Sequence, residues 1–113
     1  MTPRVYAPQQ PSKFDGATKL WIPTMNLDPA KRFGELVILL PPSANRLHTD
    51  PLVKVMKDQM EGYSDKDYLI AVGDPSLIAA AAMIAYRRSK TGTVRILKWD
   101  RVVSDYIVAE ITV

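Results

Sequence analysis

The chain of 113 residues predicts a small α/β sandwich with the element order β-α-β-α-β-β, a mostly parallel sheet and a C-terminal antiparallel hairpin. Two observations predict this class. Short apolar runs of strand length alternate with longer segments that start at an Asp-Pro pair and have helical character. Two β-rich runs joined by a six-residue link then close the chain. The order leaves open a three-layer sandwich, with one helix on each face, and a two-layer sandwich, with both helices on one face.

Residues 1–33 predict an extended, proline-rich arm in front of an α/β domain of residues 34–113. Five of the nine prolines lie in this arm, and their spacing argues against a long helix or a central strand. Its apolar side chains are too numerous for a solvated tail, so we expect it to dock on its own domain or on a second copy. Trp21 and Ile22 are the expected anchors. Asp28-Pro29 and Gly34 bracket one helical turn.

The first half of the domain predicts a strand and a helix. Glu35 to Leu40 is a continuous apolar run that ends at Pro41, which is typical of a strand covered on both faces. Asp50 is the expected cap of the next helix, and Gly62 marks its end. The buried face of this helix is predicted to carry four side chains at spacings of three and four: Leu52, Val55, Met56 and Met60.

Residues 67–88 form the stretch around which the rest is arranged. The apolar run 68–72 predicts a strand, and Gly73 ends it. Asp74 can accept hydrogen bonds from the free N–H groups of a helix whose first residue is Pro75. The alanines of residues 79–82 give high helix propensity and a smooth face that can lie close to a sheet. Residues 93–99 and 106–113 then predict the final two strands.

Composition limits the classes of function. The net charge of +3 resides in residues 1–33, and a sparse basic arm of this kind is typical of a solvated surface. The chain has no cysteine, which fits a reducing cytosol and excludes thiolate chemistry. We expect no secretory signal, because residues 1–10 lack an apolar core, and no membrane span. A single histidine, His48, excludes a multi-histidine metal site, so neither a metal nor a cofactor is expected.

One alternative function is binding of a nucleotide or phosphate ligand by a Rossmann-like domain. Ligands of parallel α/β folds bind beyond the carboxyl ends of the strands. The loops expected there carry the candidate ligand-binding residues Ser43, Asn45, Arg46, His48, Gly73, Ser76 and Arg101. Against this reading, Asp74 would repel a phosphate, and no glycine-rich fingerprint or Walker loop is present. No catalytic residue is predicted, because Ser43 and Ser76 lack a nucleophile-elbow context.

A second alternative is an RNA- or DNA-binding module. The basic residues Arg87, Arg88, Arg95 and Arg101 lie near Trp99 and Tyr106, whose rings could stack on bases. Arg95 and Trp99 are expected on one face of the same strand. Neighbouring acidic residues such as Asp100 and Asp105 favour a solvated sheet edge instead.

Three stretches also carry a family resemblance: FGELVILLPPSANRLHTDPL, YLIAVGDPSLIAAAAMIAYRR and TVRILKWDR. Residues 33–113 resemble small uncharacterised proteins encoded in tailed-phage genomes. The resemblance implies a phage origin, and hence the host cytoplasm or the virion as location. It implies no activity and carries over no functional residue.

The leading hypothesis is therefore a non-enzymatic, phage-type accessory or structural protein that acts through protein–protein contacts. No catalytic constellation is present, whereas an apolar arm and a β-rich C-terminal edge favour contacts. The expected partner is a second copy of the chain or a larger protein. The candidate interaction residues are Trp21, Ile22, Trp99 and Tyr106.

Overall fold

The described part of the chain forms a five-stranded sheet, a separate two-stranded hairpin, two α-helices and a 3-10 helix. The computed structural model describes residues 2–45 and 48–113. A 3-10 helix, Asp28–Phe33, precedes the second strand of the main sheet. The strands are β1 Arg4–Gln9, β2 Ser12–Asp15, β3 Leu20–Pro23, β4 Glu35–Leu40, β5 Tyr68–Ile70, β6 Thr93–Asp100 and β7 Asp105–Thr112, and the helices are α1 Thr49–Gln59 and α2 Pro75–Arg88.

The strand order of the main sheet is β4-β1-β5-β6-β7. The first four of these strands run parallel to one another, and β7 is antiparallel to β6. The predicted class, an α/β fold with a mostly parallel sheet and a C-terminal antiparallel hairpin, is confirmed. β4 also has the predicted bounds, Glu35–Leu40.

The strand β1 lies inside the sheet, between β4 and β5. The prediction that the prolines of residues 1–33 exclude a central strand is therefore wrong. Val5, Tyr6 and Ala7 are fully buried. The pairing of β1 with β5 ends at Tyr6 and Leu69, two residues before Pro8, so the missing N–H of Pro8 costs no hydrogen bond to β5.

Both α-helices pack on one face of the sheet. Met56 and Met60 of α1 and Leu77 and Ala81 of α2 share one buried cluster with Tyr6 of β1. The alternative left open by the sequence is thus decided in favour of helices on a single face.

The 3-10 helix covers the opposite face of the sheet. Leu27 and Ala30 are buried there against Val5, Ala7 and Leu97. The chain passes from β1 to β4 in one direction across the sheet and from β4 to β5 in the other. Because parallel crossovers are right-handed, the two connections lie on opposite faces. The helical turn predicted between Asp28 and Gly34 is confirmed in this position.

The helix α1 departs from its prediction in two details. It begins at Thr49, so Asp50 lies within the first turn, and the cap predicted at Asp50 is wrong. Val55 is exposed rather than buried. Successive helical residues are rotated by about 100°, so the face centred on Met56 and Met60 turns the adjacent Val55 outward.

Candidate functional site

A cleft of about 550 Å³ lies where the carboxyl ends of β1, β4 and β5 meet. The end of β1 contributes Gln9, Gln10 and Ser12, and the loop after β4 contributes Asn45. Gly73 and Asp74 line it from the turn after β5. Since the strand order reverses between β1 and β5, this is the position at which open α/β sheets bind ligands.

Gln9 organises the loop beside the cleft. Its side chain is almost fully buried, and Nε2 donates a hydrogen bond to the carbonyl of Pro41 at 2.8 Å. A longer contact of 3.4 Å reaches the carbonyl of Pro42. Gln9 is not among the candidates predicted from the sequence, because the strand that positions it was not predicted.

Asp74 occupies the N-terminus of α2. Its Oδ2 accepts hydrogen bonds from the N–H groups of Ser76 at 3.0 Å and Leu77 at 3.3 Å, which confirms the predicted cap. Gly73 precedes it with a φ of +98°, a conformation that favours glycine. An anionic ligand at this helix end would have to compete with the Asp74 carboxylate for the same N–H groups.

The candidate ligand-binding residues are only partly brought together. Asn45 and Gly73 line the cleft. The hydroxyl of Ser76 donates to Asp74 and lies 2.9 Å from the hydroxyl of Thr49, so it links the two helix starts. Three further candidates do not border the cleft: Ser43 and His48 are exposed in the loop before α1, and Arg101 lies in the turn between β6 and β7. Arg46 lies outside the described residues.

A second feature is the β2–β3 hairpin, a two-stranded sheet separate from the main one. At its tip the carboxylate of Asp15 accepts from the N–H of Ala17 at 3.0 Å and the hydroxyl of Thr18 at 2.9 Å. These hydrogen bonds stabilise the ionised carboxylate and so lower the pKa of Asp15, and the bond from Ala17 has the largest effect. At its base the N–H of Thr24 donates to the carbonyl of Pro11 at 2.8 Å, so the two ends of the hairpin are adjacent.

The hairpin exposes apolar side chains on both of its faces. Leu20 is 62% exposed and Trp21 is 42% exposed. Phe14 lies opposite Trp21 with the ring centres 5.4 Å apart, and Ile22 is exposed beside them. Both predicted anchors of the arm, Trp21 and Ile22, therefore lie on this hairpin. Trp21 also borders the cleft.

The side chains proposed for nucleic-acid contact lie apart or are already engaged. Arg95 donates to the hydroxyl of Tyr68 at 3.0 Å and to the carbonyl of Asp65 at 3.1 Å, on the face covered by the 3-10 helix. Arg88 projects from α2 on the other face and donates to the carbonyl of Lys57 at 3.1 Å. On β6 and β7, Trp99 contacts Tyr106 at 5.1 Å between ring centres, and Tyr106 is buried.

The described residues contain no group of three or more His, Cys, Asp or Glu side chains that could hold a metal ion. Within residues 2–45 and 48–113, no helix is both long enough and apolar enough to cross a membrane.

Comparison with known proteins gives one family. No curated protein and no solved structure matches the chain. A family model described as "Phage Pam3 gp32-like protein" matches residues 3–113. The match spans both the hairpin and the α/β core, and it confirms the resemblance to small phage proteins. The chain therefore belongs to the Phage Pam3 gp32-like protein family.

Proposed function

We propose that this phage protein is a non-enzymatic accessory or structural protein that acts through protein–protein contacts, with the β2–β3 hairpin as its contact element. The observation that carries the proposal is the apolar surface of the hairpin, with Phe14, Leu20, Trp21 and Ile22 all exposed. Apolar surface left in water costs about 25 cal/mol for each Å². An isolated two-stranded hairpin is also at best marginally stable, so covering it with a partner stabilises both its surface and its fold.

Aromatic residues at the hairpin suit this role. Trp and Tyr are enriched among the side chains that dominate protein–protein binding, because they bury a large rigid surface. The hairpin carries Phe14 and Trp21 in edge-to-face contact, which fixes their relative orientation before binding. The host cytoplasm during infection and the assembled virion are both locations in which a phage partner would meet this surface.

The test is site-specific photocrosslinking during infection. A photoreactive phenylalanine analogue is placed at Trp21 in one variant and at Met83 in a control variant. Met83 is 68% exposed on α2, so it is at least as accessible as Trp21 but lies outside the hairpin. Discrete protein adducts at position 21 that are absent at position 83 support the proposal. Equal adducts at the two positions, or adducts to nucleic acid only, overturn it.

A second candidate function, binding of a small ligand, is favoured by the position of the cleft at the reversal of strand order. Its lining contains the carboxamides of Gln9, Gln10 and Asn45 and the ring of Trp21, and the Nε2 groups of Gln9 and Gln10 already donate to the carbonyls of Pro41 and Met25. We propose a nucleotide or a related phosphate ligand as its occupant in a Rossmann-like arrangement. A thermal-shift screen against nucleotides, with Asp74→Asn as the variant that removes the competing negative charge, tests this function. If no nucleotide raises the unfolding temperature of either protein, this function is contradicted.

A further inference from the structure

The outer edge of β7 is a second surface that lacks the usual protection of a sheet edge. β7 is the last strand of the sheet and is 8 residues long. Natural edge strands are blunted by charged side chains, above all Lys, by Pro or by bulges. The sequence of β7, DYIVAEIT, has neither Lys nor Pro, and Ile107, Val108 and Ile111 are exposed. Of its two charged residues, Asp105 is paired with Arg32, which leaves Glu110 as the one charge along the rest of the strand.

The pairing with β6 shows which backbone groups of β7 face outward. The hydroxyls of Thr93 and Thr112 lie 2.7 Å apart, and the rings of Trp99 and Tyr106 are in contact. Such close side chains are typical of antiparallel pairs that are not hydrogen-bonded to each other. The hydrogen bonds of Tyr106 show the same orientation, because its backbone N–H donates to Asp105 and its carbonyl accepts from Arg32 at 3.0 Å, both away from β6.

Since the orientation repeats every second residue, the N–H and C=O groups of Val108, Glu110 and Thr112 also point away from β6. The edge is closed at its other end. Arg32 holds the carbonyl of Tyr106 and forms an ion pair of 3.0 Å with Asp105. The open part of the edge therefore runs from Val108 to the end of the strand.

We propose that this edge pairs antiparallel with the β7 edge of a second copy of the chain, with the two-fold axis at Ala109. A two-fold axis normal to the sheet opposes residues that lie on the same face. With the axis at Ala109, Val108 pairs with Glu110 of the second copy, and both have outward-facing backbone groups. On the helix-bearing face, Ile107 meets Ile111 of the second copy, and both of these side chains are exposed in the single chain.

The neighbouring registers are less favourable. An axis at Glu110 places two glutamates directly opposite each other, which is destabilising. An axis at Val108 leaves one pair with open backbone groups, Val108 with Val108, because it places Glu110 opposite Tyr106, whose backbone groups are held by Asp105 and Arg32. The Ala109 axis keeps two such pairs and meets Tyr106 only at the end of the ladder, opposite Thr112. The Ala109 register joins two five-stranded sheets into one continuous sheet, with the α-helices of both copies on one face and both 3-10 helices on the other.

This inference deepens the proposed function by naming a second copy as one partner, at a surface separate from the hairpin. Strand-edge pairing of this length belongs to the small interfaces, below about 1,200 Å². We therefore expect an association that depends on protein concentration. Crosslinking at Trp21 tests the β2–β3 hairpin, and the experiments below test the β7 edge. One proposal can therefore fail while the other holds.

Disulfide trapping tests the register, and the absence of cysteine from the chain makes single-cysteine variants clean. In the proposed dimer the Ala109 Cα atoms form a non-hydrogen-bonded pair at about 4.5 Å, within the range that a disulfide bridges. Ala109→Cys should form a covalent dimer on mild oxidation. Val102→Cys is the control, because Val102 is 93% exposed in the β6–β7 turn and therefore more open to random collision.

Crosslinking of Ala109→Cys at least tenfold above Val102→Cys supports the proposal, and equal crosslinking overturns it. Glu110→Cys provides the register control, and its crosslinking ahead of Ala109→Cys overturns the Ala109 axis. Light scattering gives a measurement without a disulfide. The native chain should dimerise as concentration rises, and Val108→Lys should remain monomeric with an unchanged circular dichroism spectrum. A native chain that stays monomeric up to about 1 mM overturns the proposal.

Discussion

The buried carboxylate of Asp67 accepts a hydrogen bond from the backbone N–H of Arg4 at 2.8 Å. Its second oxygen accepts from the N–H of Ser64, also at 2.8 Å. Asp67 immediately precedes β5, and Arg4 is the first residue of β1. This one side chain therefore anchors the N-terminal strand to the centre of the sheet.

Replacing Asp67 with Ala should lower the free energy of unfolding by about 2–3 kcal/mol, because the N–H groups of Arg4 and Ser64 lose a charged acceptor. Urea denaturation measures the loss. Asp58→Ala is the matched control, since Asp58 is exposed near the C-terminus of α1, where a negative charge is not favoured. A loss at Asp67 no larger than that at Asp58 would show that the carboxylate does not hold β1 in place.

Gly34 lies directly against the backbone of Pro3 in the N-terminal segment. A Cβ at this position would lie 2.3 Å from the carbonyl oxygen of Pro3, which also accepts the N–H of Glu35 at 2.9 Å. Gly34→Ala should therefore cost about 1–3 kcal/mol through overpacking against the backbone. Gly16→Ala provides the control, because a Cβ there meets nothing within 4 Å. Equal midpoints of thermal unfolding for the two variants would contradict the close approach.

Tyr63 makes the stability of the fold depend on alkaline pH. Burial, together with the nearby charges of Asp65 and Asp67, raises the pKa of Tyr63 to about 12. Above its ordinary pKa of about 10, the unfolded chain releases this proton while the folded chain keeps it. Stability is thus fully present below pH 10 and falls as the pH rises toward 12, by roughly 1 kcal/mol at pH 11.

Tyr63→Phe should remove this part of the pH dependence. It should also keep or raise stability at pH 7, because the Tyr63 hydroxyl is buried without a hydrogen-bond partner among the described residues. Denaturation of both proteins at pH 9 and pH 11 measures the difference. The same decrease in stability in the two proteins would refute the assignment to Tyr63.

Substitutions of Asp74 test whether its carboxylate serves as a helix cap or has a functional role. Asp74→Ala should cost on the order of 1 kcal/mol, and Asp74→Ser should be nearly neutral, because a serine hydroxyl can accept from the same N–H groups. Thermal unfolding of the two variants measures this order. If both substitutions instead raised stability, the Asp74 carboxylate would destabilise the native fold. Its assignment as a helix cap would then be wrong.

Ala81 tests how closely α2 lies against the sheet. Ala81 is 1% exposed, and Leu at this position should cost about 1–3 kcal/mol. Ala79→Leu, on the exposed side of the same alanine run, should change stability by less than about 0.5 kcal/mol. Similar unfolding midpoints for the two leucine variants would mean that the helix does not pack tightly at Ala81.

Local signals allowed much of this fold to be predicted. Pro41 ends the β4 run at Leu40, and the Asp74 cap with Pro75 sets the start of α2. These features act within a few residues of the elements that they bound, so propensity and capping are sufficient to find them. The antiparallel pairing of β6 with β7 follows in the same way from a short connection between two β-rich runs.

The cleft could not be predicted to the same extent. Asn45 and Gly73 were expected near the strand ends, and both border it. Gln9 was not expected at the cleft, because its role depends on a hydrogen bond to Pro41, which lies 32 residues further along the chain. The sequence indicated the exposed hairpin only as an apolar stretch around Trp21, since the β2–β3 pairing lies in the segment that was predicted to be an extended arm.

The sequence by itself thus determined β4 to β7, the two helices and the cap at Asp74, because each is encoded by neighbouring residues. Only the tertiary structure decided the central place of β1 and the common face of the helices. Val5 to Ala7 is a short run between prolines, too brief to indicate a strand alone. Its strand conformation depends on Leu36 and Tyr68, which pair with Val5 from opposite sides and lie far along the chain.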